Sequence, residues 1–213
     1  MKTNHITAII TFALGMSLQA EPVFKLTPSV DDATNALDFA VAVHGDHVLV
    51  GGGNTYLSVG SLYSPGCAYV WAWNGVAWVE QARLASPVTT NNGGMFGTNS
   101  GWFGKALALG ADYAAVGAPD EFSYAGSAYV YNRNGTNWTL AATLHADKVV
   151  PEPAMLPRFG SGVAADGEVI AVGAPWDNYS TTNSGAVYVF RRSGGVWVKE
   201  ARLTVVGADP NGG

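Results

Sequence analysis

One cysteine, Cys67, stands among 213 residues, so no internal disulfide can form and packing must hold the fold. Cys67 opens an apolar run, where a small buried side chain is expected. Charge is also scarce, at 13% of residues, with a net charge of −5 and no basic stripe. That balance argues against a nucleic-acid partner. Beyond residue 20 no stretch approaches about 18 uninterrupted apolar residues, so no membrane-spanning helix is expected. Nor does any later segment hold a helical apolar period over about twelve residues without a Gly or Pro.

Catalytic signatures are missing too. There is no G-x-S-x-G elbow, no H-E-x-x-H and no phosphate-binding glycine loop. The carboxylates are scattered, and the histidines are only His5, His44, His47 and His145. His44 and His47 flank one turn, but no third ligand lies nearby, which favours surface turn residues over metal ligands. Neither a catalytic residue nor a metal or cofactor is expected, and the chain reads as a non-enzyme.

What the chain does have is glycine, 27 residues, and aromatics, 11%, a mixture suited to short strands and tight turns. Residues 1–20 resemble an export signal: Lys2, a short apolar run over Ile6–Met16, then Ser17-Leu18-Gln19-Ala20 before Glu21. A secreted, periplasmic or cell-surface location follows from that reading.

The rest repeats itself three times. Trp78 and Leu84 recur as Trp138 and Leu144, then as Trp197 and Leu203, shifted by 60 and 59. Gly66, Gly126 and Gly185 keep the same step. Upstream, FGKALALGADYAAVGAP over Phe103–Pro119 matches FGSGVAADGEVIAVGAP over Phe159–Pro175, with a divergent copy over Leu37–Gly53. Such a period signals an array of units, each unable to bury its apolar face alone.

Each unit reads as four strands. Two short apolar runs flank a tiny turn, at Gly45-Asp46, Ala111-Asp112 or Asp166-Gly167. A looser polar segment follows, in which Asp120 and Glu121, or Asp177 and Asn178, read as solvated turn residues in preference to a weak ion site. Next come CAYVW, SAYVY and AVYVF, apolar on both faces as in a strand between two layers. Hairpins at Asn74-Gly75, Asn134-Gly135 and Gly194-Gly195 lead to the fourth strand. There, simple alternation puts Trp197, Lys199, Ala201 and Leu203 on one face and Val198, Glu200 and Arg202 on the other. The charge marks an outer, solvated edge. The fold class expected is all-β: a β-propeller of four-stranded antiparallel blades, three of them present.

At these residues the chain resembles the FG-GAP repeat family, the blades of integrin α-subunit propellers and of many exported bacterial proteins. Phe103-Gly104 with Gly117-Ala118-Pro119, and Phe159-Gly160 with Gly173-Ala174-Pro175, carry the resemblance. Gly126–Tyr131 and Gly185–Phe190 fit the family's G-x-V-Y-V-aromatic strand. The first unit departs, with Leu37-Asp38 and Gly51-Gly52-Gly53. The resemblance implies a calcium loop between the first two strands of a blade, but here that link is a tight turn holding Asp46, Asp112, or Asp166 near Glu168. One or two acids cannot supply six to eight oxygen ligands, so calcium is not expected.

The boundaries that follow are 1–20 signal, 21–36 an outer-strand remnant and linker, 37–84 the first blade and 85–102 a linker. Then come 103–144 the second blade, 145–158 a linker, 159–203 the third blade and 204–213 the start of a linker. Closed propellers have about four to eight blades, so a longer parent protein is expected, with self-association of a three-bladed chain or an open three-unit array as the alternatives. Loops on one face are expected to bind an extracellular protein or glycan, as in adhesion. The candidate binding residues are Trp102, Phe122, Tyr124, Trp176 and Tyr179, with Tyr56, Met95 and Phe96 on the same face. The alternatives are a passive spacer in a surface protein, or part of a propeller hydrolase or lyase whose catalytic residues lie in other blades.

Overall fold

The computed structural model describes residues 24, 26, 28–29, 37–52, 66–88, 101–147, 156–177 and 185–204, with the side chains of 37–39 excepted. The signal-like segment, residues 205–213 and most of the linkers lie outside that set.

Among the described residues, twelve strands form three separate four-stranded sheets. The first holds β1 (Leu37–His44), β2 (His47–Gly52), β3 (Cys67–Trp73) and β4 (Trp78–Ala85). The second holds β5 (Ala106–Leu109), β6 (Tyr113–Ala118), β7 (Ser127–Asn134) and β8 (Asn137–Leu144). The third holds β9 (Gly162–Asp166), β10 (Val169–Ala174), β11 (Ala186–Ser193) and β12 (Val196–Leu203). Each is an antiparallel meander in chain order, and the turn residues read from the sequence sit at the hairpins. The first strands lie side by side, β1 against β5 and β5 against β9, so the sheets radiate from a common line as blades of a partial propeller.

Between the blades are two dry layers. Leu49, Ala68, Val70 and Leu84 of the first blade meet Phe103, Val116, Tyr129 and Tyr131 of the second. Ala115, Ala128, Val130 and Leu144 of the second meet Phe159, Val172, Tyr188 and Phe190 of the third. Each blade therefore has a forward face of small aliphatic side chains and a rear face of aromatic ones. The middle blade is buried on both faces through β5, β6 and the start of β7. The third is not. Burial alternates along β9, β10 and β11, and Val187 is 40% exposed, so β11 has one covered face and not the two expected from its sequence. On the first blade Tyr69 and Trp71 of the rear face are buried, with Leu26 packed beside them.

One expectation fails at the fourth strand. Every blade carries a bulge at the same place, between Val70 and Trp71, Val130 and Tyr131, and Val189 and Phe190 in the register with the outer strand. In the third blade Val189 pairs with Ala201 and Phe190 with Lys199, leaving Glu200 as the extra residue. An extra residue reverses the alternation beyond it. Trp138 consequently packs in the rear layer of its blade, while Ala142 and Leu144 pack in the forward layer. Trp197 and Leu203 likewise do not share a face.

The blades interlock through glycines. Phe103 and Phe159 are fully buried, each edge-on to the aromatic two residues beyond the tyrosine of its own third strand. The following Gly104 and Gly160 have φ of +93°, open to glycine and strained for other residues. A Cβ on Gly51 would come under 3.0 Å from Gly104 O, and one on Gly117 under 3.0 Å from Gly160 O. Cβ atoms on Gly66 and Gly126 would collide with the carbonyls of Phe103 and Phe159. Backbone thus rests on backbone where one blade leans on the next.

Gly117→Ala should cost roughly 2–3 kcal/mol, because its neighbour is backbone and cannot rotate away. Gly173→Ala, whose Cβ would find nothing among the described residues closer than 3.6 Å, should change stability by no more than about 0.5 kcal/mol. Urea midpoints at unchanged slope compare the two.

Candidate functional site

Antiparallel strands bring the second-to-third-strand links and the lead-ins to each blade out at one end of the sheets. At that end the backbone is unusual. All the described non-glycine residues with positive φ lie there: Trp102, Phe122, Ser123, Tyr124 and Arg158. The link over Glu121–Tyr124 is a left-handed turn, closed by the Gly126 amide donating to Glu121 O at 2.9 Å. It also holds the next blade's lead-in. Arg158 N donates to Tyr124 O at 2.9 Å and Phe159 N to Ala125 O at 3.0 Å. Trp176 N donates to Pro157 O at 3.3 Å, drawing in the third blade's own link.

These bonds place Arg158 between two rings. Its guanidinium lies 4.8 Å from the Tyr124 centroid and 4.9 Å from the Trp176 centroid. Such contacts stabilise by about 0.5–2 kcal/mol, more as water is excluded. Asp120 Oδ1 lies 3.5 Å from Arg158 Nε, within ion-pair distance, yet that buried oxygen accepts no hydrogen bond. Burial raises the Asp120 carboxyl above its usual value, against the pull of Arg158 and Lys105. Lys105 Nζ sits 4.7 Å from the Trp102 ring, and Phe122 meets His145 edge-on at 6.2 Å.

Of the sequence candidates, Tyr124 and Trp176 are brought together around Arg158. Trp102 and Phe122 lie on the same end, each beside its own cationic or imidazole partner. Trp102, Phe122 and Trp176 are 38–39% exposed. Tyr179 lies outside the described residues, as do Tyr56, Met95 and Phe96. Arg158, Lys105 and Asp120 were not among the candidates. Arg158 does have a signal, since it precedes Phe159 as Trp102 precedes Phe103. The position before Phe-Gly carries a large side chain at positive φ in both blades.

Beneath the loops lie two buried acids, a correction to the reading of Glu121 and Asp177 as solvated. Glu121 is 1% exposed and accepts from Ser86 Oγ at 2.6 Å and from the Tyr129 hydroxyl. Asp177 is 0% exposed and accepts from the Tyr188 hydroxyl and from Arg202 Nη2 at 2.7 Å. The equivalent position in both blades thus pins the link to the tyrosine of the third strand. Burial pushes the Tyr188 hydroxyl up to about 12, and Asp177 adds to that shift. Burial also raises the Glu121 carboxyl, which Ser86, Tyr129 and Ser127 only partly offset. Asp177 has Arg202 to balance its charge. At the position of Arg202 the second blade has Thr143.

The opposite end of the blades is clasped by arginines. Arg192 of the third blade donates to both oxygens of Asp112 of the second at 2.9 Å and to Glu168, over the rings of Tyr113 and Trp197. Its hydrogen bonds hold the Asp112 carboxyl below the usual value. Arg133 of the second blade approaches His47 of the first at 3.1 Å. Burial, then Arg133, lowers the His47 imidazole. His47 is therefore a packed joint between blades.

The arrangement offers rings and cations for contact. Among the described residues no group of three or more His, Cys, Asp or Glu side chains could hold a metal ion, and no helix is long and apolar enough to cross a membrane. Residues 138–190 match the model of the FG-GAP repeat. The match runs from the fourth strand of the second blade through the first three strands of the third up to Phe190, across the joint between them. No curated protein matches the chain.

The raised Glu121 carboxyl has a defined sign. Folding binds its proton more tightly, so its contribution is complete below the ordinary value of 4.5 and is lost as pH rises through the folded value. Glu121→Gln keeps an acceptor without the charge. Its stability relative to the parent should therefore rise between about pH 4 and pH 8, as urea midpoints taken across that range would show.

Proposed function

Taking the chain as an FG-GAP repeat protein, we propose that it is a binding module of an exported protein, with no chemical step of its own and no cofactor. Its ligand is an extracellular protein or glycan, engaged in adhesion by the loop end of the blades. The carrying observation is the cluster there of every described positive-φ non-glycine residue around an arginine held between Tyr124 and Trp176. Strained loops kept in one shape by a packed scaffold are preorganised, which lowers the entropy lost on binding. Exposed Trp102, Phe122 and Trp176 supply apolar area, and Lys105 and Arg158 supply charge beside it. The signal-like N-terminus supports a secreted, periplasmic or cell-surface setting.

Screening the purified full chain on a glycan array and against purified extracellular matrix proteins tests this reading. Trp176→Ala and Phe122→Ala should each weaken the retained partner by about tenfold or more, with the thermal midpoint essentially unchanged for Phe122→Ala and lowered by only a few degrees for Trp176→Ala, which also loses the ring contact of Arg158. Wild-type binding by both variants would move the site elsewhere, and no retained partner at all would favour a passive spacer.

A further inference from the structure

Each blade sets a tyrosine of its third strand opposite one residue of its fourth. Tyr69 pairs with Arg83, Tyr129 with Thr143 and Tyr188 with Arg202. Arg83 lies over the Tyr69 ring at 6.0 Å, and Arg202 over the Tyr188 ring at 5.9 Å. The middle blade alone has no cation at this position. In the third blade the cation serves a buried acid, because Arg202 Nη2 donates to Asp177. Glu121, the matching acid of the second blade, is equally buried and has hydroxyl groups around it: those of Ser86, Tyr129 and Ser127. Among the described residues no cation forms an ion pair with it. A buried carboxylate without a countercharge is costly, and its protonated form far less so.

Glu121 also stands at the root of the loop end. Its carbonyl accepts from Gly126 N and closes the turn that carries Phe122 and Tyr124. Asp120 N donates to Gly101 O at 2.9 Å, so residues 120–125 touch the lead-in of their own blade as well as that of the next. Phe122, Ser123 and Tyr124 all have positive φ, a conformation that persists only while the contacts at both ends hold it.

We propose that residues 120–125 form a pH latch, shut while the Glu121 carboxyl carries a proton and opening locally when it ionises, which frees Arg158 from its place between Tyr124 and Trp176. Opening brings water to the carboxylate and relaxes three left-handed residues in one movement. The equivalent link of the third blade has Arg202 and stays shut. The latch belongs to the loop end of the free protein and stands whether or not that end binds a ligand.

The groups that face Glu121 are few. Tyr129 and Tyr131 of β7 are pushed upward by burial and stay neutral. His145, beyond β8, approaches only through Ser127, whose Oγ lies 3.5 Å from its Nδ1. On the link itself, the Asp120 carboxyl is raised by burial and lowered by Arg158 and Lys105. Burial holds the Glu121 carboxyl above its ordinary value of 4.5. The proton therefore favours the shut link, and opening grows as pH rises through the folded value.

Amide hydrogen exchange of the full chain tests the latch, read as protection factors so that the intrinsic base catalysis of exchange is divided out. Between about pH 4 and pH 8, protection at Gly126, Arg158 and Phe159 should fall by about tenfold or more. Gly185, whose amide donates to Asp177 O at 3.2 Å, is the matching amide of the third blade and should keep its protection. Glu121→Gln should keep Gly126 protected across the range, although Asp120 and His145 are unchanged in that variant. Thr143→Arg, at an exposed position of β8, should do the same by giving the second blade the cation that the third already has. Parent protection at Gly126 that survives to pH 8, an equal fall at Gly126 and Gly185, or a fall that persists in Glu121→Gln would overturn the proposal. So would a Thr143→Arg variant whose Gly126 amide loses protection as the parent's does.

Discussion

The fold depends on one close approach: a Phe-Gly lead-in laid directly on the glycines of the preceding sheet. Phe103-Gly104 rests against Gly51, Gly66 and Cys67, and Phe159-Gly160 against Gly117, Gly126 and Ser127. The phenylalanine brings apolar area, and the glycines remove the side chains that would hold the sheets apart. Neither works without the other. A phenylalanine beside an alanine-spaced backbone would lie too far out to fill the layer, and two glycine-bearing backbones without the ring would leave a void. Gly126 and Phe159 also form an isolated parallel bridge at this point.

From this lock comes the polarity of each blade. Rings occupy the side from which the lead-in arrives, and small aliphatics occupy the side that receives the next one. The repeated bulge in the outer strand serves the same division. It lets Trp138 face rearward and Leu144 forward within one strand of eight residues. The arginine clasps then set the angle at the far end. Arg192 reaches back to Asp112 and Arg133 reaches back to His47, each crossing from its own blade to the hairpin before it. Asp112 and Glu168 are half exposed, so these pairs contribute less to stability than to orientation.

Hairpins, sheet order and the repeat are legible in the sequence because each has a local cause. Turn glycines and asparagines set the hairpins, and the Phe-Gly, Gly-Ala-Pro and Trp spacings set the period. The bulge is not legible, because a strict alternation of Trp197, Lys199, Ala201 and Leu203 looks the same with or without an extra residue. The buried acids are hidden for a related reason. A carboxylate in a polar link reads as solvated, and only the fold shows Tyr129 and Tyr188 arriving over Glu121 and Asp177. Of the candidate site, the exposed aromatics are visible as a class, whereas Arg158 sits in a segment that looks like connection. Its role emerges only when the positions preceding Phe103 and Phe159 are compared.

That comparison joins the site to the core. Trp102 and Arg158 each stand one residue before the phenylalanine that locks their blade, and both carry positive φ. The loop end therefore has no independent geometry. A backbone forced into the left-handed region is costly on a free loop, by about 1–3 kcal/mol per residue, and persists only where its neighbours over-determine it. Here the neighbours are the buried ring on one side and, for Arg158, the carbonyl of Tyr124 on the other. The glycine contacts that close the joint thus also hold the Arg158 guanidinium between Tyr124 and Trp176. Blades could exchange surface aromatics freely while this coupling remained, since the angle at which a side chain leaves the loop is set one residue away, inside the joint.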